Sequence, residues 1–162
     1  MQKTERIREN LARLYKEQNA DKRYKFEGTF VRFGHSKRDP EIKTAVLENV
    51  YLIKEDGSKE FVTDHAWIKV GKKFKNFVKR IKNRYDLELK TGNKIHFQAF
   101  IDQYYKEGKE RFFKDYRFSS LRHIELPEEP KWREEAKRLL LEQLEKEKAA
   151  NEDSSEKGAE NE

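Results

Sequence analysis

Between Tyr24 and Leu126 the spacing of apolar residues alternates between a strand-like and a helix-like pattern. Three runs with strand-like alternation come first, one basic run with helical spacing follows, and two more strand-like runs complete the segment. Alternation with period two indicates strands, and apolar residues at i, i+3, i+4 and i+7 indicate a helix. This order constrains the fold more than any other feature, because it places one helix between the third and fourth strands of a small sheet.

Turn-forming residues set the limits of each predicted element. Gly28 interrupts the first strand and predicts a bulge or bend there. Residues 55–58 form a hairpin turn after the second strand, and residues 90–93 form the turn before the fourth. The helix begins after Gly71 and places Phe74, Phe77, Val78, Ile81 and Tyr85 on one face. The predicted strands cover residues 23–35, 42–53, 60–63, 95–104 and 112–126.

Five strands with a helix after the third form the element order of an OB-fold, a small barrel often used to bind oligonucleotides or oligosaccharides. We therefore predict a mainly β fold with helical extensions, in which a five-stranded OB-fold-like barrel covers residues 23–126. In this fold the loop between strands one and two and the loop between strands four and five reach over the ligand. Because one fold serves many functions, the function must be argued from the site.

The residues before the barrel form the first of two predicted terminal helices. Within residues 1–22, Ile7, Leu11, Leu14 and Tyr15 recur at helical spacing. The apolar stripe of this helix is expected to cover an open end of the barrel. The alternative is that it docks onto a partner.

After Pro127 and Pro130, a second amphipathic helix is predicted over residues 127–148. It has three possible roles: packing on the barrel, self-association, or binding of another protein. Residues 149–162 lack apolar periodicity and are predicted to form a disordered acidic tail that aids solubility. Five acids stand there against the single base Lys157.

The charge distribution favours a polyanionic partner. The chain carries a net charge of +6 although its last twelve residues are acidic, so the part before them is more basic than the total indicates. The helical run contributes seven bases without an acid before Asp86. Those bases are Lys72, Lys73, Lys75, Lys79, Arg80, Lys82 and Arg84.

Several classes of site are excluded or disfavoured by residue content. The chain has no cysteine, so disulfides, thiolate metal sites and cysteine nucleophiles are excluded. The four histidines lack the spacing of a metal site, and the seven glycines do not form a phosphate-binding loop. We therefore predict a protein that is not an enzyme and that carries no metal and no cofactor.

The sequence also predicts the location of the protein. No segment approaches the roughly 20 consecutive apolar residues of a membrane span, and the first residues lack the apolar core of a signal peptide. We expect a cytoplasmic protein that does not interact with a membrane.

A site for single-stranded nucleic acid combines exposed rings that stack on bases with a basic groove that follows the phosphates. Bases and aromatic residues alternate near the two predicted ligand loops. The predicted phosphate contacts are Lys37 and Arg38 in the first loop, Lys106, Lys109 and Arg111 in the second, and Lys72, Lys73 and Lys75 at the start of the helix. The predicted stacking residues are Tyr51, Tyr105 and Phe112. For each ring, the alternative is a place in the core of the barrel.

Three segments carry a resemblance. Residues 63–68 read Thr-Asp-His-Ala-Trp-Ile, residues 92–100 read Gly-Asn-Lys-Ile-His-Phe-Gln-Ala-Phe, and residues 104–108 read Tyr-Tyr-Lys-Glu-Gly. Over residues 24–126 the chain resembles a family of small, largely uncharacterised OB-fold-like proteins encoded in prokaryotic genomes and mobile elements. In that family an Asp-His-x-Trp stretch precedes the helix and a Gly-Asp-x-Ile-x-Phe-x-Ala stretch opens the next strand. Asn93 replaces the family's acid, and the turn is expected to remain intact.

His65 and Trp67 have two interpretations. Alternation places them together on one side of the chain, where they can form an exposed pair for stacking. Alternatively, Trp67 lies under the helix as a core residue and His65 is satisfied by a hydrogen bond. The sequence favours the structural role.

Together these features predict a non-catalytic protein that binds single-stranded DNA or RNA through basic loops and stacking aromatic residues. The alternative is a protein-binding adaptor or inhibitor encoded by a mobile element, which acts or self-associates through its terminal helices.

Overall fold

The computed structural model of the protein describes the backbone of residues 2–37, 39–107 and 112–160, and the side chains of residues 9–37, 39–105 and 114–152. The described chain forms three helices and five strands. They are α1 (Gln2–Glu17), β1 (Tyr24–His35), β2 (Lys43–Ile53), β3 (Lys59–Lys69), α2 (Lys72–Tyr85), β4 (Lys94–Glu107), β5 (Phe112–Glu125) and α3 (Glu129–Glu160). The chain divides into two units, Met1–Leu126 and Pro127–Glu162.

The five strands form one antiparallel sheet with the order β3-β2-β1-β4-β5. The structure therefore confirms the predicted class, a mainly β fold with helical parts. Among the described residues no hydrogen-bonded ladder joins the edge strands β3 and β5, although the two strands contact each other. The result is a curled sheet compatible with an OB-like barrel, rather than a sheet closed by hydrogen bonds.

Bulges allow the sheet to curl. The pairing of β1 with β2 shifts register around Gly28, between Glu27 and Thr29, which confirms the bend predicted there. A Cβ atom at Gly28 would lie 3.0 Å from Leu47 Cδ1, so a larger residue would require the Leu47 side chain to shift. On β5, Ser120 and His123 have φ angles of 51° and 50°. Bulges of this kind bend a strand and increase its twist.

The core lies between the inner face of the sheet and α2. The rings of Phe26, Phe97 and Phe118 meet with centroids 4.8–5.6 Å apart. From α2, Phe74, Phe77 and Ile81 are buried, as their helical spacing predicted. Because these residues occupy one face of α2, its lysines lie on the exposed sides. Arg80 is half-buried and donates a hydrogen bond to the Ile124 carbonyl of β5 at 2.7 Å.

Helix α1 packs against β3, β4 and β5. Leu11 and Leu14 are buried, and the Tyr24 hydroxyl donates a hydrogen bond to the Leu14 carbonyl at 2.9 Å. The Asn10 side chain donates to the Phe61 carbonyl on β3 at 3.1 Å. The apolar stripe of α1 is therefore used inside the first unit.

Gln18 replaces a missing strand partner at the end of α1. The β1–β4 ladder ends at Tyr24 and Ala99, so the backbone of Ile101 has no partner on β1. The Gln18 amide donates to the Ile101 carbonyl at 2.8 Å, and its oxygen accepts from the Ile101 N–H at 2.9 Å. One side chain thus continues the pairing of β4.

Replacing Gln18 by alanine is expected to lower the free energy of unfolding by about 1–2 kcal/mol, because two hydrogen bonds are lost and the Ile101 backbone groups lose their partner. Urea unfolding measures the change. Gln143 on α3 is exposed, and its replacement by alanine is the matched control. Equal losses in the two variants would contradict this role of Gln18.

Two elements extend beyond their predicted limits. Strand β3 continues to Lys69, whereas the sequence predicted residues 60–63. The backbone of α3 continues to Glu160, whereas disorder was predicted from residue 149. No described helix has both the length and the hydrophobicity needed to cross a bilayer.

Candidate nucleic-acid interface

The second half of β3 presents a row of polar and aromatic side chains on its outer side. Ala66 and Ile68 are buried, so alternation turns His65, Trp67 and Lys69 outward. Trp67 is 56% exposed. The favoured structural role for Trp67 was therefore wrong, because β3 continues through this residue and turns its neighbours inward.

His65 supports Trp67 from the side. The two rings have centroids 4.7 Å apart at 83°, an edge-on arrangement. His65 Nδ1 lies 2.7 Å from Asp64 Oδ1, and the Thr63 hydroxyl donates to the His65 carbonyl at 2.9 Å. The Asp64 contact restrains the imidazole, and the Thr63 bond restrains the backbone of His65. The imidazole in turn supports one edge of the indole, which remains accessible.

Two cations share the outer side of the sheet with Trp67, one two strands away on β1 and one two residues along β3. The indole lies opposite Val46 of β2, which in turn lies opposite Arg32 of β1. The Arg32 guanidinium lies 3.0 Å from the position of a Cβ at Gly34, so the glycine leaves room for it. Neither Arg32 nor Lys69 has an acidic partner among the described residues. We call the outward residues Arg32, His65, Trp67 and Lys69 the β3 face.

The amino end of α2 follows directly after the β3 face. Lys72, Lys73 and Lys75 are exposed, and the first turn contains no acid. Gly71 caps the helix without a side-chain hydrogen bond, and the first helical bond runs from the Lys75 N–H to the Gly71 carbonyl. The preceding N–H groups and the helix dipole add to the positive potential. The lysines have no acidic partner among the described residues.

The other predicted site residues are placed as follows. Lys37 is exposed in the loop between β1 and β2. Tyr105 is 61% exposed near the end of β4. Tyr51 is half-buried, with its ring 5.4 Å from that of Phe61. Lys106 and Phe112 lie in β4 and β5, but their side chains are outside the described residues, as are Arg38, Lys109 and Arg111 entirely.

The structure brings some of these residues together and separates others. The three lysines of α2 follow Lys69, the last residue of β3, by three to six residues in the chain. Tyr51 pairs with Phe61, six residues before Trp67 and therefore about 20 Å away along the strand. Sequence reasoning missed Arg32 and Lys69, and it considered an exposed Trp67 but favoured a structural role for it. The signal for Trp67 was the alternation with Ala66 and Ile68.

A buried carboxylate on the outer side of β1 is neutralised by its neighbours. Glu27 lies 2.7 Å from His96 Nε2 and 3.0 Å from Lys59 Nζ. Burial alone would raise the pKa of the Glu27 carboxyl, but hydrogen bonds from His96 and Lys59 outweigh burial and lower that pKa. The ionised acid thus adds little negative potential to the outer surface of the sheet.

Among the described residues, no group of three or more histidine or carboxylate side chains is arranged to hold a metal ion. No protein-family model, curated protein or solved structure matches the chain. The candidate site therefore stands on its own geometry.

Proposed function

We propose that this protein binds single-stranded nucleic acid without catalysing a reaction, and that the nucleic acid lies on the β3 face. The observation that carries the proposal is Trp67. A large aromatic side chain that is 56% exposed and held edge-on by a neighbouring ring is suited to stack on a base. Every base offers such a surface, so this contact requires no particular sequence.

The cations around Trp67 suit the backbone of the same strand. Arg32 lies two strands away from Trp67 across the sheet, Lys69 lies two residues further along β3, and the lysines of α2 follow Lys69 in the chain. Single-stranded nucleic acid is bound by this combination of a stacking ring and a basic track. In OB-folds the outer side of strands two and three commonly serves as the ligand surface, which supports the same placement.

The adaptor alternative predicted from the sequence has less support. It requires terminal helices with apolar faces available to a partner, yet α1 buries Leu11 and Leu14 against the barrel. On α3, Leu139, Leu140, Leu141 and Leu144 remain exposed. The β3 face combines two chemical features that suit one ligand, whereas nothing in the structure indicates what would cover the exposed leucines of α3.

Replacing Trp67 by alanine is expected to weaken binding of single-stranded oligomers by about 1–3 kcal/mol, the usual contribution of one base–aromatic stack. Fluorescence anisotropy of labelled DNA and RNA oligomers measures the dissociation constants. The Trp67→Phe variant keeps a stacking ring and should recover most of the affinity. Because Trp67 is exposed, urea unfolding of all three proteins should agree.

Two results would count against this proposal. Affinity of Trp67→Ala equal to that of the unmodified protein would remove the β3 face from the site. Absence of salt-sensitive binding to any single strand, even at low ionic strength, would reject the function itself.

A further inference from the structure

The outer side of β1, β4 and β5 carries a second set of cations. Along β4, Ile95, Phe97, Ala99 and Ile101 are buried, so the intervening residues face outward. Around them lie Arg23, Lys25, Arg117 and Arg122, which we call the arginine face. This surface belongs to different strands from those that carry Trp67.

Arg23 is held against the sheet by a ring and a carbonyl. Its guanidinium carbon lies 4.5 Å from the centre of the Phe100 ring. Its Nε donates a hydrogen bond to the Ser120 carbonyl at 2.8 Å. Ser120 has a positive φ, which is uncommon for a residue other than glycine. The ring and the carbonyl fix the plane of the guanidinium and leave its terminal N–H groups for a ligand.

Arg117 repeats this arrangement further along the hairpin. Its guanidinium carbon lies 5.3 Å from the centre of the Tyr104 ring, and the Tyr104 hydroxyl donates to the buried Asp115 at 3.1 Å. Asp102 is the closest acid, at 3.9 Å from Arg117 Nε. A guanidinium stacked on a fixed ring loses less entropy when it binds a phosphate than a free lysine does.

A row of side chains joins the two strands next to Arg23. Lys25 lies opposite Gln98, and Gln98 lies opposite Arg122, so these three residues share one face. Lys25 and Arg122 are exposed and have no acidic partner among the described residues. Glu27, the nearby acid on β1, is already neutralised by Lys59 and His96. Asp102 and Glu125 also lie on the outer side, but the four cations of the arginine face outnumber them, so the surface carries a net positive charge.

We propose that the arginine face binds the phosphodiester backbone of the same nucleic-acid strand after it leaves the β3 face. This inference rests on the proposed function. From β3 to β5 the sheet spans four interstrand spacings, about 19 Å in total. Arg32 of the β3 face and Lys25 of the arginine face are also seven residues apart on β1, about 23 Å along that strand. A strand that occupies both faces must therefore be longer than one that occupies the β3 face alone. Binding sites on OB-folds range from about 4 to 16 nucleotides.

The test compares a short and a long single strand, of about 5 and about 16 nucleotides, the limits of that range. The Arg117→Gln/Arg122→Gln variant removes two exposed cations and leaves the hydrogen bond of Arg23 intact. For the long strand we expect roughly tenfold weaker binding at low salt. The slope of log K against log salt should fall by about 1.4, since each phosphate contact on a single strand contributes about 0.7. The short strand should bind equally well to both proteins.

Two further proteins make the result decisive. Lys146→Gln/Lys148→Gln lowers the net charge equally on α3 and should change neither strand's affinity. Trp67→Ala should weaken both strands. The inference is overturned if the arginine variant keeps the full salt slope on the long strand, if the α3 variant loses as much affinity, or if the unmodified protein binds neither strand. If the arginine variant weakens binding of the long strand and Trp67→Ala does not, the β3 face is rejected as a binding site and the arginine face is retained as one.

Discussion

Replacing Leu14 by alanine is expected to lower the free energy of unfolding by about 2–5 kcal/mol, the usual cost of a large-to-small change in a core. Leu14 is 1% exposed and lies where α1 packs on the sheet. The variant loses both the transferred apolar surface and the contacts around the cavity that remains. Urea unfolding followed by circular dichroism measures the difference. The result matters because it identifies α1 as part of the folded unit.

The control for Leu14 is a leucine on the other terminal helix. Leu144 of α3 is 50% exposed, and its replacement by alanine should change the free energy of unfolding by less than about 0.5 kcal/mol. The two helices look alike in sequence, since each has an apolar stripe. If Leu14→Ala is as mild as Leu144→Ala, α1 does not stabilise the barrel.

Much of the fold was predictable because hydrophobic period is a local signal. The switch from period two to helical spacing after Gly71 identified α2 and its three buried residues Phe74, Phe77 and Ile81. The length of β3 was not predictable in the same way. Asp64 and His65 interrupt its apolar pattern, and the strand continues because β2 pairs with it opposite Glu48 and Val46. That pairing is non-local.

The candidate site was predictable only in part. The lysines of α2 stood out as a basic run, and the structure leaves them exposed. The exposure of Trp67 depends on which side of β3 faces the core, and a one-residue change of register reverses it. The contact of Arg23 with Phe100 joins two strands that are distant in the sequence. Such contacts leave no local pattern.

Replacing Glu27 by glutamine is expected to lower the free energy of unfolding by about 2 kcal/mol at pH 7, within the range for hydrogen bonds to a charged group. The cost stays below that of breaking a fully buried ion pair, because Lys59 is 45% exposed and remains solvated. Glu27 joins three strands: it lies on β1, Lys59 on β3 donates to both of its oxygens, and His96 lies on β4. Lys94, also on β4, lies 3.8 Å away. Glutamine keeps the shape but removes the charge that these donors require.

The dependence on pH follows from the lowered pKa of Glu27. In the unfolded chain the carboxyl returns to its ordinary value of 4.5, so it binds a proton more readily there than in the folded protein. Its stabilising contribution is therefore complete above that value and is lost as the pH falls through the lower folded pKa. The stability difference between the unmodified protein and Glu27→Gln should shrink over this acidic range in urea unfolding experiments.

Glu55 provides the matched control, because its pKa is also lowered by a hydrogen bond from a lysine, Lys22, but the pair is exposed. Exposed pairs contribute little, so Glu55→Gln should leave stability unchanged at pH 7. If Glu27→Gln and Glu55→Gln lower the free energy of unfolding equally, burial does not increase the contribution of the Glu27 ion pair to stability.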